Sequence, residues 1–271
     1  MRFQAMTFNL RYDNLGDGPN QWSYRIDAVA AMIREHDPLV VGTQEGFYSM
    51  LIPLAEWLDD YAWTGTGRLG GQENEHCAIF YKKRELQLAE TGTFWLSEQP
   101  DTPGSKSWDS NLPRICTWAR FIHLETGLEL AVFNTHLDHI GQRARSEGAR
   151  MIKRAIKSLR ERHGIAVLLT GDFNSHPGDD PIRFLRGETD AAETEPKMLT
   201  DAYTALQGDI GLSAHSFQGG AEGEPIDYIF ATPELHIAEV RIDRSRIQGR
   251  YPSDHYPVIA GMEFRRGGAS V

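Results

Sequence analysis

Carboxylates, amides and imidazoles recur in this chain where apolar runs stop. The stretch Val167-Leu168-Leu169-Thr170-Gly171-Asp172-Phe173-Asn174 begins like a buried strand and ends in a carboxylate and an amide two positions apart. In extended chain such residues share one side, so Asp172 and Asn174 would face one reacting centre. Gly171-Asp172-Phe173-Asn174 also suits a plain turn, and taken alone the stretch supports both readings. Other runs stop in the same way. Asn9 and Arg11 end the first, Glu45 ends the second, His136 closes a third, Asp227 opens another, and Asp254 and His255 precede the last.

Oxygen donors dominate this inventory, which favours a hard divalent ion, Mg²⁺ or Mn²⁺, over zinc. Glu45, with Asn9 beside it, is the principal expected ligand; the competing reading is an acid at a helix N-terminus. A cation held by one or two carboxylates, with waters and a substrate phosphate completing its shell, would polarise phosphorus. The histidines are then free for other work. His255 needs a carboxylate on its remote ring nitrogen to fix tautomer and charge, and Asp227 is the candidate. His136 would hydrogen-bond a phosphate oxygen in such a site, although a lone histidine at a strand end is equally a structural residue. Arg114 opens a strand after a long loop and could present a planar donor fork to phosphate or form a surface ion pair, and Arg11 divides the same way. Glu73, Asn74, Glu75 and His76 form a loop edge, with His76 a further site candidate.

These residues must be delivered by strands. Strands are expected over 2–10, 39–45, 61–66, 76–81, 86–96, 115–124, 128–137, 225–230, 235–242 and 257–264, besides the one ending at Asp172. Helices are expected over 22–36, 47–58, 140–164 and 180–185. Glu125-Thr126-Gly127 reads as a hairpin link, residues 67–75 and 97–113 as polar loops, and the chain from the last helix to Gln218 as less regular. With no repeat and no linker, one domain spanning residues 1–271 is expected.

A hydrophobic content of 40% with 24% charged residues suits a globular chain, and no window approaches a transmembrane span. The N-terminus reads at once as an alternating strand without a leader pattern, so a cytoplasmic protein is expected. Two cysteines, Cys77 and Cys116, are too few for a disulfide framework or a thiolate zinc site. A formal net charge of −10 opposes nonspecific attraction to nucleic-acid backbones. Against that balance, residues 140–164 hold eight Lys or Arg and two Glu, the polar face of an amphipathic surface helix.

Taken together, Thr7-Phe8-Asn9-Leu10-Arg11, Thr43-Gln44-Glu45, Asn134-Thr135-His136, Gly171-Asp172-Phe173-Asn174, Ile226-Asp227-Tyr228-Ile229-Phe230 and Ser253-Asp254-His255-Tyr256-Pro257-Val258 resemble the ordered motifs of the endonuclease/exonuclease/phosphatase superfamily. The resemblance implies a four-layer α/β/β/α sandwich: two mixed β-sheets face to face, helices outside, the site at one end. It implies that Glu45 binds the metal with Asn9 as amide neighbour and Asp254 as a further carboxylate. It gives Asp172 the attacking water, Asn174 the phosphate or water, Asp227 and His255 the carboxylate–histidine pair, and His136 a grip on the phosphate. One ion or two, and Asp172 or His255 as base, stay open.

The expected activity is metal-dependent hydrolysis of a small or single-stranded phosphoester by in-line attack of water. Two alternatives stand beside it: a nuclease on single-stranded DNA or RNA, with Trp22, Trp108 or Phe47 stacking on bases, and a catalytically silent binding module. Membrane insertion and an obligate protein partner are not expected.

Overall fold

The computed structural model describes residues 1–189 and 197–265; residues 190–196, within the stretch expected to be irregular, and 266–271 lie outside the described residues. Side chains along β1 (Arg2–Asn9) alternate between two environments. Met6 and Phe8 enter one apolar cluster with Val29 and Ile33 of α1 (Ile26–His36) and Leu51 and Leu54 of α2 (Tyr48–Trp57). Ala5 faces the other way, into a second cluster. The two-residue period therefore aims Thr7 and Asn9 away from the helices, at whatever covers the inner face.

That cover is a second sheet. The first sheet runs β13 (Leu235–Ile242), β14 (Val258–Phe264), β1, β2 (Val40–Gln44), β6 (Ile79–Lys82), β4 (Tyr61–Thr64). The second runs β11 (Thr200–Asp201), β12 (Asp227–Ala231), β10 (Ala166–Asp172), β9 (Glu129–His136), β8 (Ile115–His123), β7 (Leu86–Trp95). β1 packs on β10 and β2 on β9. α3 (Gln142–His163) and α4 (Asp180–Arg186) cover the outer face of the second sheet through Ile152, Ile156, Leu159, Ile182 and Leu185. This is the expected four-layer sandwich, and both sheets are mixed. No helix among the described residues is long and apolar enough to cross a membrane.

The pairing explains why one end collects the polar groups. β1 and β2 are parallel, as are β9 and β10, so Asn9, Gln44, His136 and Asp172 all end at one edge. β14 and β12 run antiparallel to them and begin there, bringing Asp254, His255 and Asp227 to the same mouth.

Two expectations change in detail. The strand expected over 76–81 is broken: β5 (Glu75–His76) pairs with β3 (Gly46–Phe47) in a separate ribbon, and β6 begins only at Ile79. Periodicity does not register a strand that changes partner partway. The expected helix over 22–36 starts with a 3-10 turn at Trp22–Tyr24 and becomes α-helical at Ile26.

Near the mouth the sheets approach through polar side chains. Asn134 Nδ2 donates to the Thr43 and Ala78 carbonyls (2.8 and 3.0 Å), and Gln44 Nε2 donates to Asn134 Oδ1 (2.7 Å). Gly42 makes this possible, since a Cβ there would lie 2.1 Å from Thr170 Oγ1 and 2.6 Å from Asn134 Oδ1.

Candidate active site

Register sets the first contacts. Asp172 pairs with Asp227 on one side and His136 on the other, so three ionisable groups lie side by side on adjacent strands. From the opposite sheet, Asn9 Nδ2 donates to Asp172 Oδ2 (2.9 Å) and to Glu45 Oε1 (3.1 Å). One amide thus bridges the sheets and holds the two carboxylate oxygens within about 6 Å of each other, the sum of those bonds. Glu45 Oε2 accepts from the Tyr12 N–H (3.0 Å), and Asp172 Oδ1 from the Asn174 N–H (2.9 Å).

Glu45, Arg11, Arg114, His136, Asp172, Asn174, Asp254 and His255 line a cleft of about 560 Å³. Asn9 and Asp227 stand directly behind the lining, each fully buried. His76 does not line this cleft. It is 1% exposed, its ring packed beside Trp63 and Tyr48, with Nδ1 against the Asn74 carbonyl (3.1 Å). A larger hollow of about 750 Å³ opens at the opposite end of the first sheet, by Arg2, His36 and Lys82. Its charged groups are already paired, as in His36–Asp243 and Lys82–Asp37, both 2.6 Å, and it holds none of the strand-end residues. Chemistry, not size, selects the smaller cleft.

Several lining residues escaped the sequence reading. Arg68 is held by Glu75 (2.8 Å) and Asn74 (2.7 Å); Tyr12, Leu112 and His139 complete the wall. The 67–75 and 97–113 loops were visible as rims, but which of their side chains turn inward depends on packing. Arg114, assigned either to phosphate or to a surface pair, is 5% exposed: Nε faces Asp138 Oδ2 (3.5 Å) and Nη2 donates to His139 Nδ1 (3.0 Å). Of the three aromatics considered for base stacking, Phe47 lines the cleft, 5.9 Å from Tyr12, whereas Trp22 is buried and Trp108 lines a different groove.

Backbone strain gathers here. Arg11, Glu45, Asn74 and Asn174, all in the lining, adopt left-handed φ values of 55°, 64°, 70° and 45°. For Arg and Glu that conformation costs roughly 1–2 kcal/mol, tolerated only where surrounding bonds over-determine it.

Charge is distributed unevenly. Burial, and then the neighbouring Asp227 carboxylate, push Asp172 up to about 7. Burial opposes charge on His255, but Asp227, whose Oδ2 lies 2.9 Å from His255 Nδ1, outweighs it with help from Asp172 and Asp254, so the imidazolium persists well above the ordinary histidine range. His136 goes the other way: burial, then the Arg114 charge, keep it neutral. Asn174 Nδ2 donates to His136 Nε2 (3.0 Å), leaving His136 Nδ1 buried and unpaired.

Two donor sets could receive a cation. Ligand atoms of Asp172, Asp227 and His255 lie within 4.8 Å of one another. Asp227 Oδ2, however, already serves His255 Nδ1 and accepts from Ser213 Oγ (2.7 Å), so a cation there would compete with a held proton. Glu45 and Asp254, with the Asn9 amide behind, offer oxygen donors that face the cleft without that competition. This set fits a hard divalent ion.

A sequence profile of the Endonuclease/Exonuclease/phosphatase family matches residues 6–255, spanning every strand end described above. The chain belongs to this family. Its members are hydrolases acting on phosphoesters and are generally divalent-metal-dependent. Among similar solved structures, a mannosyl-6-phosphatase of Bacteroides thetaiotaomicron is 34% identical, with a TM-score of 0.88 over 97% of this chain and 100% of that one. A second family protein from the same organism is 33% identical, at TM-score 0.88 over 98% and 99% of the two chains. Drosophila melanogaster Nocturnin is 27% identical over 218 residues, 69% of this chain and 32% of its own length. The chain spans about a third of the curated relatives it matches.

Proposed function

We propose that this protein hydrolyses a small phosphoester with Mg²⁺ or Mn²⁺, and that the observation carrying this reading is the Asn9 amide. It holds a cleft-facing carboxylate from one sheet, Glu45, against a buried one from the other, Asp172, at the head of the cleft. Glu45 and Asp254 would hold the ion, with the Asn9 amide positioning Glu45; when bound, the ion would polarise the phosphoryl group and neutralise charge developing on it. Asp172, poised near neutrality, orients and accepts a proton from the attacking water. His255, kept cationic by Asp227, faces the charge that accumulates on phosphate oxygens, and neutral His136, held by the Asn174 amide, lines the wall beside it. Arg11, paired through two hydrogen bonds with Asp17 (2.9 and 3.0 Å), and Arg114, beside Asp138, complete the wall, and His76 supports it from behind.

A volume of about 560 Å³ suits a small molecule. Together with the mannosyl-6-phosphatase relative, it favours a phosphomonoester of a sugar or similar polyol as substrate. The Tyr12–Phe47 pair in the lining is the feature favouring the second reading, a nuclease on single strands. A silent module is disfavoured by the intact buried carboxylates and histidines, costly to keep without use. The test is a panel of sugar phosphates, aryl phosphate mono- and diesters and short oligonucleotides, with metal or with chelator, for wild type and Glu45→Gln. Metal-dependent turnover, highest on a sugar phosphate and lost by about 10²-fold or more in Glu45→Gln, is expected. Turnover indifferent to chelator or to that substitution refutes the reading.

A further inference from the structure

Arg25 is among the largest fully buried side chains, 1% exposed; no ion pair to it is found among the described residues, and the Asp254, Asp17 and Asp13 carboxylates favour its charge only from farther off. Its guanidinium is satisfied by backbone alone. Nε donates to the Asn20 carbonyl (2.6 Å), Nη1 to those of Leu10 (2.8 Å) and Pro252 (2.7 Å), and Nη2 to that of Arg11 (3.1 Å). The rings of Trp22 and Phe217 lie 5.5 and 5.3 Å from its Cζ. An unpaired buried cation is costly, so four good acceptors drawn from three chain segments call for an explanation.

Two of the three segments lead to the cleft, as does the loop of Phe217. Leu10 and Arg11 follow Asn9; Arg11 is left-handed, its N–H donates to Asn9 Oδ1 (2.9 Å), and the next N–H, of Tyr12, holds Glu45. Pro252 precedes Ser253, whose Oγ donates to the Asn9 carbonyl (2.7 Å), and then Asp254. Phe217, itself left-handed, belongs to the loop whose His215 and Ser216 N–H groups donate to the Asp254 carbonyl (2.7 and 3.1 Å). We propose that Arg25 is a positioning residue: by gathering the carbonyls of Leu10, Arg11 and Pro252 onto one planar fork, it sets the separation of the segments that carry Asn9 and Asp254 and so tunes the cleft for its cation. The cation part rests on the metal-dependent reading above; the clamp itself does not. Lysine cannot substitute, because three donors on a point charge cannot meet four carbonyls spread along a planar guanidinium.

The test compares Arg25→Met and Arg25→Lys with wild type by amide hydrogen exchange in metal-free protein and by calorimetric titration with Mn²⁺. Both variants should fold, with exchange accelerated at residues 10–12 and 253–255 but unchanged in β9 and β10. Mn²⁺ affinity should fall by about 10- to 100-fold, the range for residues that orient ligands. In Arg25→Ala, sub-denaturing guanidinium should restore part of that affinity, and an equal concentration of sodium chloride should not. Wild-type exchange at both segments overturns the proposal. So does global unfolding of both variants, which would make Arg25 a tie for the whole fold. If wild type binds no Mn²⁺, the functional reading fails, while exchange still decides the clamp.

Discussion

Replacing Asp172 with asparagine should abolish turnover and yet stabilise the protein at alkaline pH. The carboxyl group is 2% exposed and is pushed up from 3.8 to about 7 by burial and by Asp227. Because the folded-state value is raised, the favourable contribution of Asp172 is complete below about pH 4 and is lost as pH rises through 7. At roughly 1.4 kcal/mol per pH unit, ionised Asp172 costs the fold about 4 kcal/mol by pH 8. Asparagine removes that cost at every pH. It also loses something, because Asp172 accepts from both Asn9 Nδ2 and the Asn174 N–H. An amide offers one acceptor oxygen and turns its NH₂ towards the other donor, a penalty of about 1–3 kcal/mol that does not vary with pH. The variant should therefore be less stable than wild type at pH 4 and about 2 kcal/mol more stable at pH 8, by difference of those terms. For a chain of this size that is a rise of about 4–8 °C in Tm at pH 8. Thermal unfolding in chelator from pH 4 to 8 reads the swing directly. A Tm difference that stays flat across this range would refute both the buried ionised carboxylate and its assignment as a group poised near neutrality.

Other expectations follow from the same geometry. His255→Ala leaves Asp227 buried without its imidazolium and should lower stability by about 3 kcal/mol near pH 6, with kcat down by about 10²-fold or more; denaturant unfolding and steady-state rates check both. The stabilising charge on His255 is present below its unfolded pKa and fades as pH rises through the raised folded value, so the stability gap should narrow in alkali. Gly42→Ala forces a methyl onto Thr170 and Asn134 and should cost about 1–3 kcal/mol, with loss of activity, because the two sheets meet there. Burial holds the Cys77 thiol up at about 12 and the Cys116 thiol well above its usual range, so a thiol reagent should label neither until the protein unfolds; stoichiometric labelling of native protein would contradict this.

Much of the architecture was legible because strand periodicity is local. Met6 and Phe8 alternate with Thr7 and Asn9 in the sequence as they do across β1, and the amphipathic face of the basic helix buries Ile152, Ile156 and Leu159 as its spacing predicts. His76 shows where local pattern stops. A histidine at a loop edge beside acids looks the same whether it opens onto a cleft or, as here, packs beside Trp63 and Tyr48. Arg25 shows the converse, a helix-start arginine that only three converging segments make exceptional.

By itself, then, the sequence determined which residues end strands, which face each side chain takes, and what chemistry an inventory of carboxylates, amides and imidazoles can support. Tertiary structure alone decided which of those ends are neighbours. Periodicity carries no information on strand direction or partner. The parallel pairing of β9 with β10 and the antiparallel pairing of β12 put His136, Asp172 and Asp227 in one row, and sheet packing brought Asn9 to Asp172 across 163 residues of chain. Those contacts arise only when two sheets close on one core, and that closure turns scattered polar strand ends into one cleft.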